Sequence, residues 1–460
     1  MIVLKIGGSS LKTVQSLDLI IRLLQQQTDK RRIIVLSALN GVTNHLMKST
    51  AEALQTDRKI SGLLDYLCTL HREWIINAIA SPVLKNRVKD EIDYLLSRLE
   101  KLLYGIAYTG ECTRRTRDLV ASMGERLAVH LLAGYLTDRQ IEAVGLEADK
   151  IGIVADGDFG NATANLPQTA EKLPLSVLPY VEKGVIPVIT GFFGVTVDNH
   201  TITFGRGGSD YSAAVVAAAL NCSELQIWKD VDGFLTADPT IAPDAQPLTY
   251  LSYDEAAELS YFGARILHPR TVGPLAQRNI PAVIKNTFRP EAPGTRIGAE
   301  KRQNDGIIKS VTFNPQIGYL RLEGAGLGQQ VGFLQQVVSV LSQHDINIIS
   351  VITAQTAVNL LLEKSDINRS KSFIEMTSIP GIDHLEPVLD VALVGVVGEG
   401  LSATRGLAAR VFAAVAESGT NVEMIVSGAS QVAQYFIIKE SDVVPTILAI
   451  HREFFSKKNN

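Results

Sequence analysis

The sequence predicts an α/β protein, in which a mostly parallel open sheet with helices on both faces is followed by two small α+β units. Three observations support this prediction. Short runs of Val and Ile alternate with segments of helical period through the first 300 residues. A stretch rich in Pro and Gly follows at residues 289–305, and beyond it two segments match each other at a constant offset of 74 positions.

The alternation in the first 300 residues is typical of βαβ units. Residues 33–36 are apolar throughout, which indicates a strand that helices cover on both faces, as in a parallel sheet. The predicted elements, in chain order, are a strand at 2–6, a helix at 17–27, strands at 33–37 and 185–193, a helix at 211–220 and a strand at 224–229. Residues 46–136 are predicted to be mainly helical and to cover one end of the sheet.

The carboxyl-terminal third of the chain is predicted to contain two copies of one α+β unit. The helix-and-strand pattern around Val337 returns around Val411, 74 residues later. Each helix has an apolar face that would pack on a sheet, formed by Leu334, Val337, Val338 and Leu341 in the first copy and by Leu407, Val411, Phe412 and Val415 in the second. We place the domains at 1–300, 309–385 and 386–460, with residues 309–316 available to pair with the last domain.

The composition indicates a globular protein of the cytoplasm. Hydrophobic residues make up 46% of the chain, and a net charge of −4 with scattered basic residues argues against nucleic acid or an anionic membrane as a partner. The three cysteines lie far apart and outside any metal-ligand spacing, which is typical of reduced thiols. The sequence contains neither the pattern of an export signal nor an apolar run long enough to span a membrane.

Two motifs at strand ends are candidates for ligand binding. Lys5 is followed by Gly7 and Gly8, which allow backbone N–H groups to approach a phosphate closely. The spacing is not that of a Walker A loop, and a simple tight turn is the alternative explanation. Ser37 and Thr43 follow the second strand, where open α/β sheets bind ligands, and helix capping by Thr43 or its neighbour is the alternative there.

Residues 205–210 form a more specific motif. Glycines flank Arg206, and Ser209 and Asp210 begin an alanine-rich helix. The planar guanidinium suits a carboxylate or a phosphate, and the start of a helix favours anions. Helix capping alone would explain Asp210, but three glycines, an arginine and an acid within six residues favour a function.

The other polar motifs are explained equally well by structure alone. Residues 229–239 follow a strand and form either a solvated turn or a binding segment, and His268 is interpreted as a capping or packing residue. The sequence has no zinc-ligand spacing, no Gly-x-Ser-x-Gly elbow and no Gly-x-Gly-x-x-Gly turn after its first strand. These absences argue against the hydrolase, metalloenzyme and dinucleotide-binding classes.

In combination and in this order, the motifs of the chain resemble those of the aspartate kinase family, a branch of the amino-acid kinase superfamily. The matching motifs are at Lys5, residues 37–44, Gly124 and Glu125, residues 205–210, residues 229–239 and residues 262–269. The resemblance implies an amino-acid kinase fold for the first domain and two ferredoxin-like ACT domains after it. Because no homoserine dehydrogenase region follows, it implies the monofunctional form.

The resemblance implies that ATP, with Mg²⁺, phosphorylates the side-chain carboxylate of L-aspartate, as the first step of lysine, threonine and methionine synthesis. Lys5 would bridge the phosphates as a catalytic residue, and Asp210 would orient it. The implied substrate contacts are Arg206 for the α-carboxylate, Glu125 for the α-ammonium, and Ser37, Thr43 and Ser209. The implied ATP contacts are Lys5, Gly7, Gly8, Ser9, Lys229, Asp230, Asp232, Phe234, Asp238 and Arg265. No residue is assigned as a metal ligand, because phosphate oxygens and water would hold most of the Mg²⁺ coordination sphere.

The implied ACT domains predict a homodimer or higher homo-oligomer and an amino-acid effector. In lysine-sensitive relatives the strand after the first ACT helix generally carries an aspartate that meets the effector's ammonium group. Ile349 stands at that place here, and an apolar side chain cannot satisfy a desolvated ammonium. We therefore expect weak or absent inhibition by lysine, with threonine, another small amino acid or no effector as alternatives.

Two other functions remain open at this point. One is another kinase of the same superfamily, acting on glutamate, acetylglutamate, carbamate or uridylate, although those enzymes usually lack tandem ACT domains. The other is a non-catalytic amino-acid sensor with a kinase-like body. The presence of Lys5, Arg206 and Arg265, the cations expected to face phosphate, argues against the sensor.

Overall fold

The computed structural model describes residues 1–27, 29, 31–205, 207–263, 266–302, 307–401 and 403–456. The chain divides into two compact units. The first unit comprises Met1–Phe234, Pro247–Ala257 and Arg265–Glu300, and the second comprises Leu235–Gln246, Glu258–Ala264 and Lys301–Asn460. Two short segments from the first 300 residues therefore belong to the second unit.

An eight-stranded sheet forms the centre of the first unit. Its strands are β1 (Ile2–Ile6), β2 (Arg32–Leu36), β3 (Ala143–Leu146), β6 (Ile186–Thr190), β9 (Glu224–Lys229), β10 (Tyr250–Ser252), β11 (Ala282–Asn286) and β12 (Thr295–Gly298). They lie in the order β10-β12-β11-β9-β1-β2-β6-β3, and every neighbouring pair is parallel except β11 with β12. The predicted α/β class with a mostly parallel open sheet is confirmed.

Helices cover this sheet and account for most of the region predicted to be helical. They are α1 (Ser16–Gln26), α2 (Val42–Ala53), α3 (Ile60–Ala78), α4 (Pro82–Thr109), α5 (Arg114–Ala121), α6 (Met123–Asp138), α7 (Leu166–Glu182), α8 (Gly208–Ala219), α9 (Tyr253–Phe262) and α10 (Val272–Arg278). Trp74, Ile92 and Leu103, from α3 and α4, share one buried core with residues of β1 and β2. Among the described residues, no helix combines the length and the apolar character needed to cross a membrane.

The central strands are apolar because both of their faces are covered, and all five residues of β1 and of β6 are buried.

The prediction of a single strand at 185–193 is wrong. β6 ends at Thr190, because Gly191 passes so close to Ser209 that an added Cβ would lie 2.8 Å from the serine Cβ, and Phe192 then takes a positive φ of 76°. Two small ribbons complete the unit, in which β7 (Phe193–Val195) pairs with β8 (Thr201–Thr203) and β4 (Ala155–Asp156) pairs with β5 (Thr163–Ala164).

The second unit contains two four-stranded antiparallel sheets with the same plan. The first is formed by β14 (Ile317–Glu323), α11 (Phe333–Gln343), β15 (Ser350–Thr353), β16 (Ala357–Glu363), α12 (Lys364–Thr377) and β17 (His384–Val388). The second is formed by β13 (Ser310–Asn314), β18 (Val391–Val397), α13 (Leu407–Glu417), β19 (Met424–Val426), β20 (Ala433–Lys439) and α14 (Val443–Phe455). The strand orders are β15-β16-β14-β17 and β13-β18-β20-β19.

The two copies that the sequence predicts are present in these sheets. Helices α11 and α13 both contain eleven residues, and they start 74 positions apart. Val337 and Leu341 of α11 are buried, as are the matching Val411 and Val415 of α13. The predicted apolar face of α11 is only partly buried, however, because the side chains of Leu334, at 39% exposure, and Val338 are both exposed.

Strand β13 precedes the first copy in the sequence but completes the sheet of the second. It pairs antiparallel with β18, with Ser310 opposite Val397. In the first copy the equivalent place beside β14 is taken by β17, which follows α12. The second sheet therefore takes its outer strand from a residue range that lies before the whole of the first sheet.

Candidate active site

The ends of three neighbouring strands define one edge of the main sheet. β1 lies between β2 and β9, and all three are parallel, so the loops that follow them leave from the same edge. The backbone N–H of Gly7 donates to the carbonyl of Trp228 at 3.3 Å, and that of Ser37 donates to the carbonyl of Ile6 at 3.1 Å. The loops that carry the predicted site residues are thereby joined.

Three charged side chains meet at this edge. Lys5 Nζ lies 2.6 Å from Oδ1 of Asp210, and Lys229 Nζ lies 2.8 Å from Oδ2 of the same carboxylate. Lys229 also donates to the carbonyl of Ile266 at 2.5 Å. Asp210 projects from the first turn of α8, whose N-cap residue is Gly207. Its carboxylate therefore bridges two lysines, and helix capping does not explain its presence.

Burial and charge act in opposite directions on these groups. Burial lowers the pKa of Lys5, and the neighbouring carboxylate of Asp210 works against this effect. Burial also raises the pKa of Asp210, but the charges of Lys5 and Lys229 outweigh it and bring that pKa to about 2. Asp210 is therefore ionised at physiological pH, and the cluster contains two amino groups for one carboxylate. An anion placed beside this cluster would balance its charge.

The turn after β1 is narrow. Gly8–Ser10 form a single 3₁₀ turn, so the tight-turn explanation of the glycines holds. A Cβ on Gly8 would lie 2.8 Å from the carbonyl oxygen of Ala38, and a Cβ on Gly7 would lie 3.3 Å from Lys5 Nζ. Gly8 is thus required by the close approach of the segment that follows β2, and the missing side chain at Gly7 leaves space beside the lysine ammonium.

Glu125 is a buried carboxylate with one oxygen that has no hydrogen-bond partner. It lies in the first turn of α6 and is 2% exposed. Burial raises its pKa to about 8, although the backbone N–H of Ala38 and the charges of Lys5 and Arg126 oppose that effect. Its Oε2 atom accepts no hydrogen bond from the described residues. Such a group is costly until a cation joins it, so the position suits an ammonium ion.

The other predicted substrate contacts lie near the same strand ends. Ser37 is half-buried directly after β2, and Thr43 is half-buried in the first turn of α2. The N-cap of α2 is Gly41, which has a φ of 82° and no side-chain cap, so Thr43 does not cap this helix. Ser209 is buried at the start of α8. Arg206 lies outside the described residues.

His268 has the structural role that the sequence suggests. Its Nδ1 atom accepts a hydrogen bond from the backbone N–H of Arg270 at 3.2 Å and so caps the turn Pro269–Thr271. Its ring also packs against Gly207, where an added Cβ would lie 2.7 Å from the imidazole Cδ2. The capping and packing interpretation of this histidine is confirmed.

The acidic residues that follow β9 are already engaged with other side chains. Asp230 Oδ1 accepts a hydrogen bond from the hydroxyl of Ser9 at 3.1 Å. Asp232 accepts a hydrogen bond from Asn286 Nδ2 at 2.8 Å and forms an ion pair with Arg289. These contacts tie the turn after β1 and the end of β11 to the segment that follows β9.

Two of the remaining predicted nucleotide contacts, Phe234 and Asp238, have protein partners in the structure. Phe234 is 1% exposed, and its backbone N–H donates to the hydroxyl of Thr295, so its ring belongs to the core. Asp238 belongs to the second unit, where it accepts a hydrogen bond from the backbone N–H of Thr240 at 2.8 Å. Arg265 lies outside the described residues.

One part of the site, the end of β11, was not predicted from any sequence motif. The hydroxyl of Thr287 lies 2.8 Å from that of Ser10, and both residues are buried. The Thr287 backbone N–H donates to the carbonyl of Lys229 at 2.7 Å. The available signal was an apolar run at 282–284 that ends in polar residues, since strand ends in such a sheet share an edge.

No group of three or more His, Cys, Asp or Glu side chains within the described part of the chain is arranged to hold a metal ion. Asp210, Asp230 and Asp232 all have protein partners, as described above. This donor set fits a magnesium ion that is held mainly by phosphate oxygens and water, since Mg²⁺ commonly binds through the substrate's phosphates.

Comparison with known proteins adds the family. Residues 1–286 match the model of the amino acid kinase family, and residues 394–454 match that of the ACT domain. Aspartokinase 1, chloroplastic, of Arabidopsis thaliana is 33% identical over 98% of this chain and 80% of its own length, and the aspartokinase of Schizosaccharomyces pombe is 30% identical over 90% and 83%. The structure of E. coli aspartokinase III with aspartate and ADP aligns over 99% of this chain and 100% of its own, with 26% identity and a TM-score of 0.85.

Proposed function

The chain belongs to the amino acid kinase family and, within it, to the aspartokinases, and from this premise we propose that it phosphorylates the side-chain carboxylate of L-aspartate. That it is an ATP-dependent kinase with an ACT regulatory domain follows from the family. The choice of aspartate, the product 4-phospho-L-aspartate and a place at the start of lysine, threonine and methionine synthesis are the proposal. The observation that carries it is that the pair of lysines held by Asp210 and a buried carboxylate, Glu125, come together at one sheet edge, and that Glu125 Oε2 accepts no hydrogen bond from the described residues.

The acceptor needs no general base in this reaction. A free aspartate side chain has a pKa of about 3.9 and is therefore ionised at neutral pH. An oxygen of this carboxylate forms a bond to the γ-phosphorus while the bond from that phosphorus to the bridging oxygen of ADP breaks. The main difficulty is to bring two anions together, which requires fixed positive charge and correct orientation.

Lys5 and Lys229 would provide that positive charge. Asp210 holds both ammonium groups within 2.8 Å of its own oxygens, so neither lysine has to reorganise when phosphate arrives. Gly7 and Gly8 keep the adjoining turn free of side chains. When bound, Mg²⁺ would neutralise part of the phosphate charge, and Lys5 and Lys229, oriented by Asp210, would neutralise a further part.

Glu125 and Arg206 would select the acceptor by its two α-substituents. Glu125 Oε2, which accepts no hydrogen bond from the described residues, would receive the α-ammonium group of aspartate. A guanidinium at residue 206 would receive the α-carboxylate in a bidentate contact, with Ser37, Thr43 and Ser209 as lesser contacts. These two charges leave the side-chain carboxylate as the end of the substrate that points toward the phosphates.

The proposal extends to regulation, assembly and location. We propose a cytoplasmic homodimer or higher homo-oligomer, with an amino-acid effector that binds the ACT domains and favours a less active arrangement. E. coli aspartokinase III has been solved with lysine and aspartate, and that structure aligns with this chain at 27% identity and a TM-score of 0.81. Because Ile349 replaces an acidic residue, we do not extend lysine as the effector to this chain.

The proposed reaction is tested by trapping its product. Purified enzyme is incubated with ATP, Mg²⁺ and hydroxylamine, which converts an acyl phosphate into a hydroxamate, and the acceptor is L-aspartate, L-glutamate or N-acetyl-L-glutamate. Hydroxamate that appears with aspartate and requires ATP supports the proposal. Hydroxamate with only one of the other acceptors means a different amino-acid kinase, and none with any acceptor favours a non-catalytic sensor. The Lys5→Ala variant is the control for contaminating kinases.

A further inference from the structure

Gly205 and Gly207, which flank residue 206 in the sequence, each lie close to a neighbouring segment. A Cβ on Gly205 would lie 2.9 Å from the carbonyl oxygen of Gly160, which belongs to the tip between β4 and β5. A Cβ on Gly207 would lie 2.7 Å from the ring of His268. Gly205 and Gly207 have positive φ, of 79° and 72°. Close packing and backbone conformation therefore both require glycine at these two positions.

Asp118 fixes the first of these neighbours. It is 4% exposed on α5, far from any predicted motif. Its Oδ2 atom accepts a hydrogen bond from the backbone N–H of Gly160 at 2.9 Å and another from that of Thr203 at 2.7 Å. Gly160 packs against Gly205, and Thr203 is the last residue of β8, two positions before Gly205. One carboxylate thus joins the segment that packs against Gly205 to the strand that leads to it.

Arg270 fixes the same neighbour from the other side. Its Nη1 donates to the carbonyl of Ala162 at 2.9 Å, and its Nη2 donates to the side-chain oxygen of Asn161. Its own backbone N–H is the one that His268 caps, so the two neighbouring segments are joined through residues 268–270. A guanidinium can reach both acceptors at once because of its planar fork, which a lysine lacks.

We propose that Asp118 and Arg270 are positioning residues for the amino-acid acceptor, which act by holding in place the segments that pack against Gly205 and Gly207, the residues on either side of Arg206 in the sequence. This inference rests on the proposed function, because it uses the proposed role of Arg206. Neither residue touches the substrate. Displacement of a binding group by about 1 Å can lower a rate about a hundredfold, so a support of this kind affects catalysis from a distance.

The test is a set of steady-state measurements on Asp118→Ala, Asp118→Asn and Arg270→Lys. Asp118→Ala removes the acceptor of two backbone N–H groups, and we expect the KM for aspartate to rise about tenfold or more while the KM for ATP stays within about twofold. Asp118→Asn retains a side-chain oxygen and should recover most of the lost affinity. Arg270→Lys keeps the charge but makes only one of the two contacts, so an intermediate rise is expected.

A matched control and a double variant separate positioning from general destabilisation. Asp158→Ala removes an exposed carboxylate from the same β4–β5 tip and should leave both KM values unchanged. In an Arg206→Lys background, Asp118→Ala should add much less to the KM for aspartate than it does in the wild type, because the two changes act on one contact.

Three outcomes overturn the inference. The first is an equal rise in the KM values for aspartate and for ATP. The second is a loss of kcat alone, in proportion to the fraction of folded protein. The third is that Asp118→Ala and Arg206→Lys change the KM for aspartate in a fully additive way. If Asp118→Ala does not fold, the two KM values of Arg270→Lys decide the matter. A wild-type enzyme that forms no hydroxamate from aspartate refutes the proposed function instead, whereas an active wild type with unshifted variants refutes only the positioning role.

Discussion

Two regions of the molecule are expected to receive an amino acid, and they are built from different side chains. In the first unit, Glu125 is buried with a partnerless oxygen, close to the ion pair of Lys5 and Asp210. In the second unit, β15 and its flanking residues, 346–356, contain no acidic residue, and Ile349 is half-buried directly before this strand. Under the proposed function, charge would select the ligand in the first region, whereas backbone groups and neutral side chains would have to do so in the second.

The largest effect is expected where the charges of the first unit are removed. Lys5→Ala and Asp210→Ala should each lower kcat about a hundredfold or more, the usual scale for the loss of one preorganised transition-state contact. Both residues lie at the end of a strand or the start of a helix, so thermal unfolding should still show a folded protein. Lys48→Ala, at an exposed lysine of α2, is the matched control. Retention of more than a tenth of wild-type kcat in either variant would contradict the assigned roles.

The second effect concerns the proposed α-carboxylate contact. Arg206→Lys keeps the charge but loses the bidentate fork, so we expect the KM for aspartate to rise about ten- to a hundredfold while the KM for ATP changes little. Initial rates with each substrate varied in turn measure both constants. A rise in the KM for ATP alone would move Arg206 to the nucleotide site.

The third effect is a pH dependence set by Glu125. Burial brings its pKa to about 8 in the free enzyme, so the carboxyl group is mostly protonated at pH 7 and loses its proton as the pH rises. An ammonium group binds only the ionised form, so kcat/KM for aspartate should increase about tenfold between pH 7 and pH 9. At saturating aspartate the bound ammonium stabilises the carboxylate, and kcat should vary much less.

Glu125→Gln provides the control for this titration. The amide does not titrate, so the variant should have a low kcat/KM for aspartate without the rise between pH 7 and pH 9. If the rise persists in the variant, it belongs to another group, such as the amino group of the substrate, and the assignment of Glu125 is wrong.

The smallest effect is expected in the second unit. Because residues 346–356 contain no carboxylate that could replace the water around an ammonium group, lysine at micromolar concentrations should inhibit by less than about twofold. Lysine, threonine and methionine, added singly and in pairs at sub-saturating aspartate, give the comparison. Half-inhibition by micromolar lysine alone would remove the contrast between the two regions.

Those parts of the fold that depend on a regular pattern of hydrophobic residues could be predicted from the sequence. The apolar runs of β1, β2 and β9 and the 74-residue repeat were sufficient to predict the main sheet and the twin copies. The break at Gly191 and Phe192 was missed, because an apolar run continues through it. Phe192 takes its positive φ where it packs against the start of α8. Packing between segments that are distant in the sequence leaves no local sequence signal.

The site was predictable at the level of motifs but not of contacts. The positions of Lys5 and Asp210 at a strand end and a helix start indicated anion binding, yet the sharing of Asp210 between two lysines depends on the sheet order. Asp118 and Arg270 were not predicted, because all but one of the partners described for them are backbone groups, and such partners leave no pattern in the sequence.

The place of β13 has a consequence for how the chain folds during synthesis. Its partner β18 leaves the ribosome only after the whole first sheet has been made. The two strands start about 80 residues apart, a delay of roughly 4 to 16 seconds at about 5 to 20 residues per second. Through that time Val311, which is 1% exposed in the finished protein, belongs to an unpaired apolar strand that a chaperone or another nascent chain can contact. A fragment cut just before β14 would lack this strand permanently. Its second sheet would keep an open edge beside β18 and be prone to aggregate, even though every residue after the cut is present.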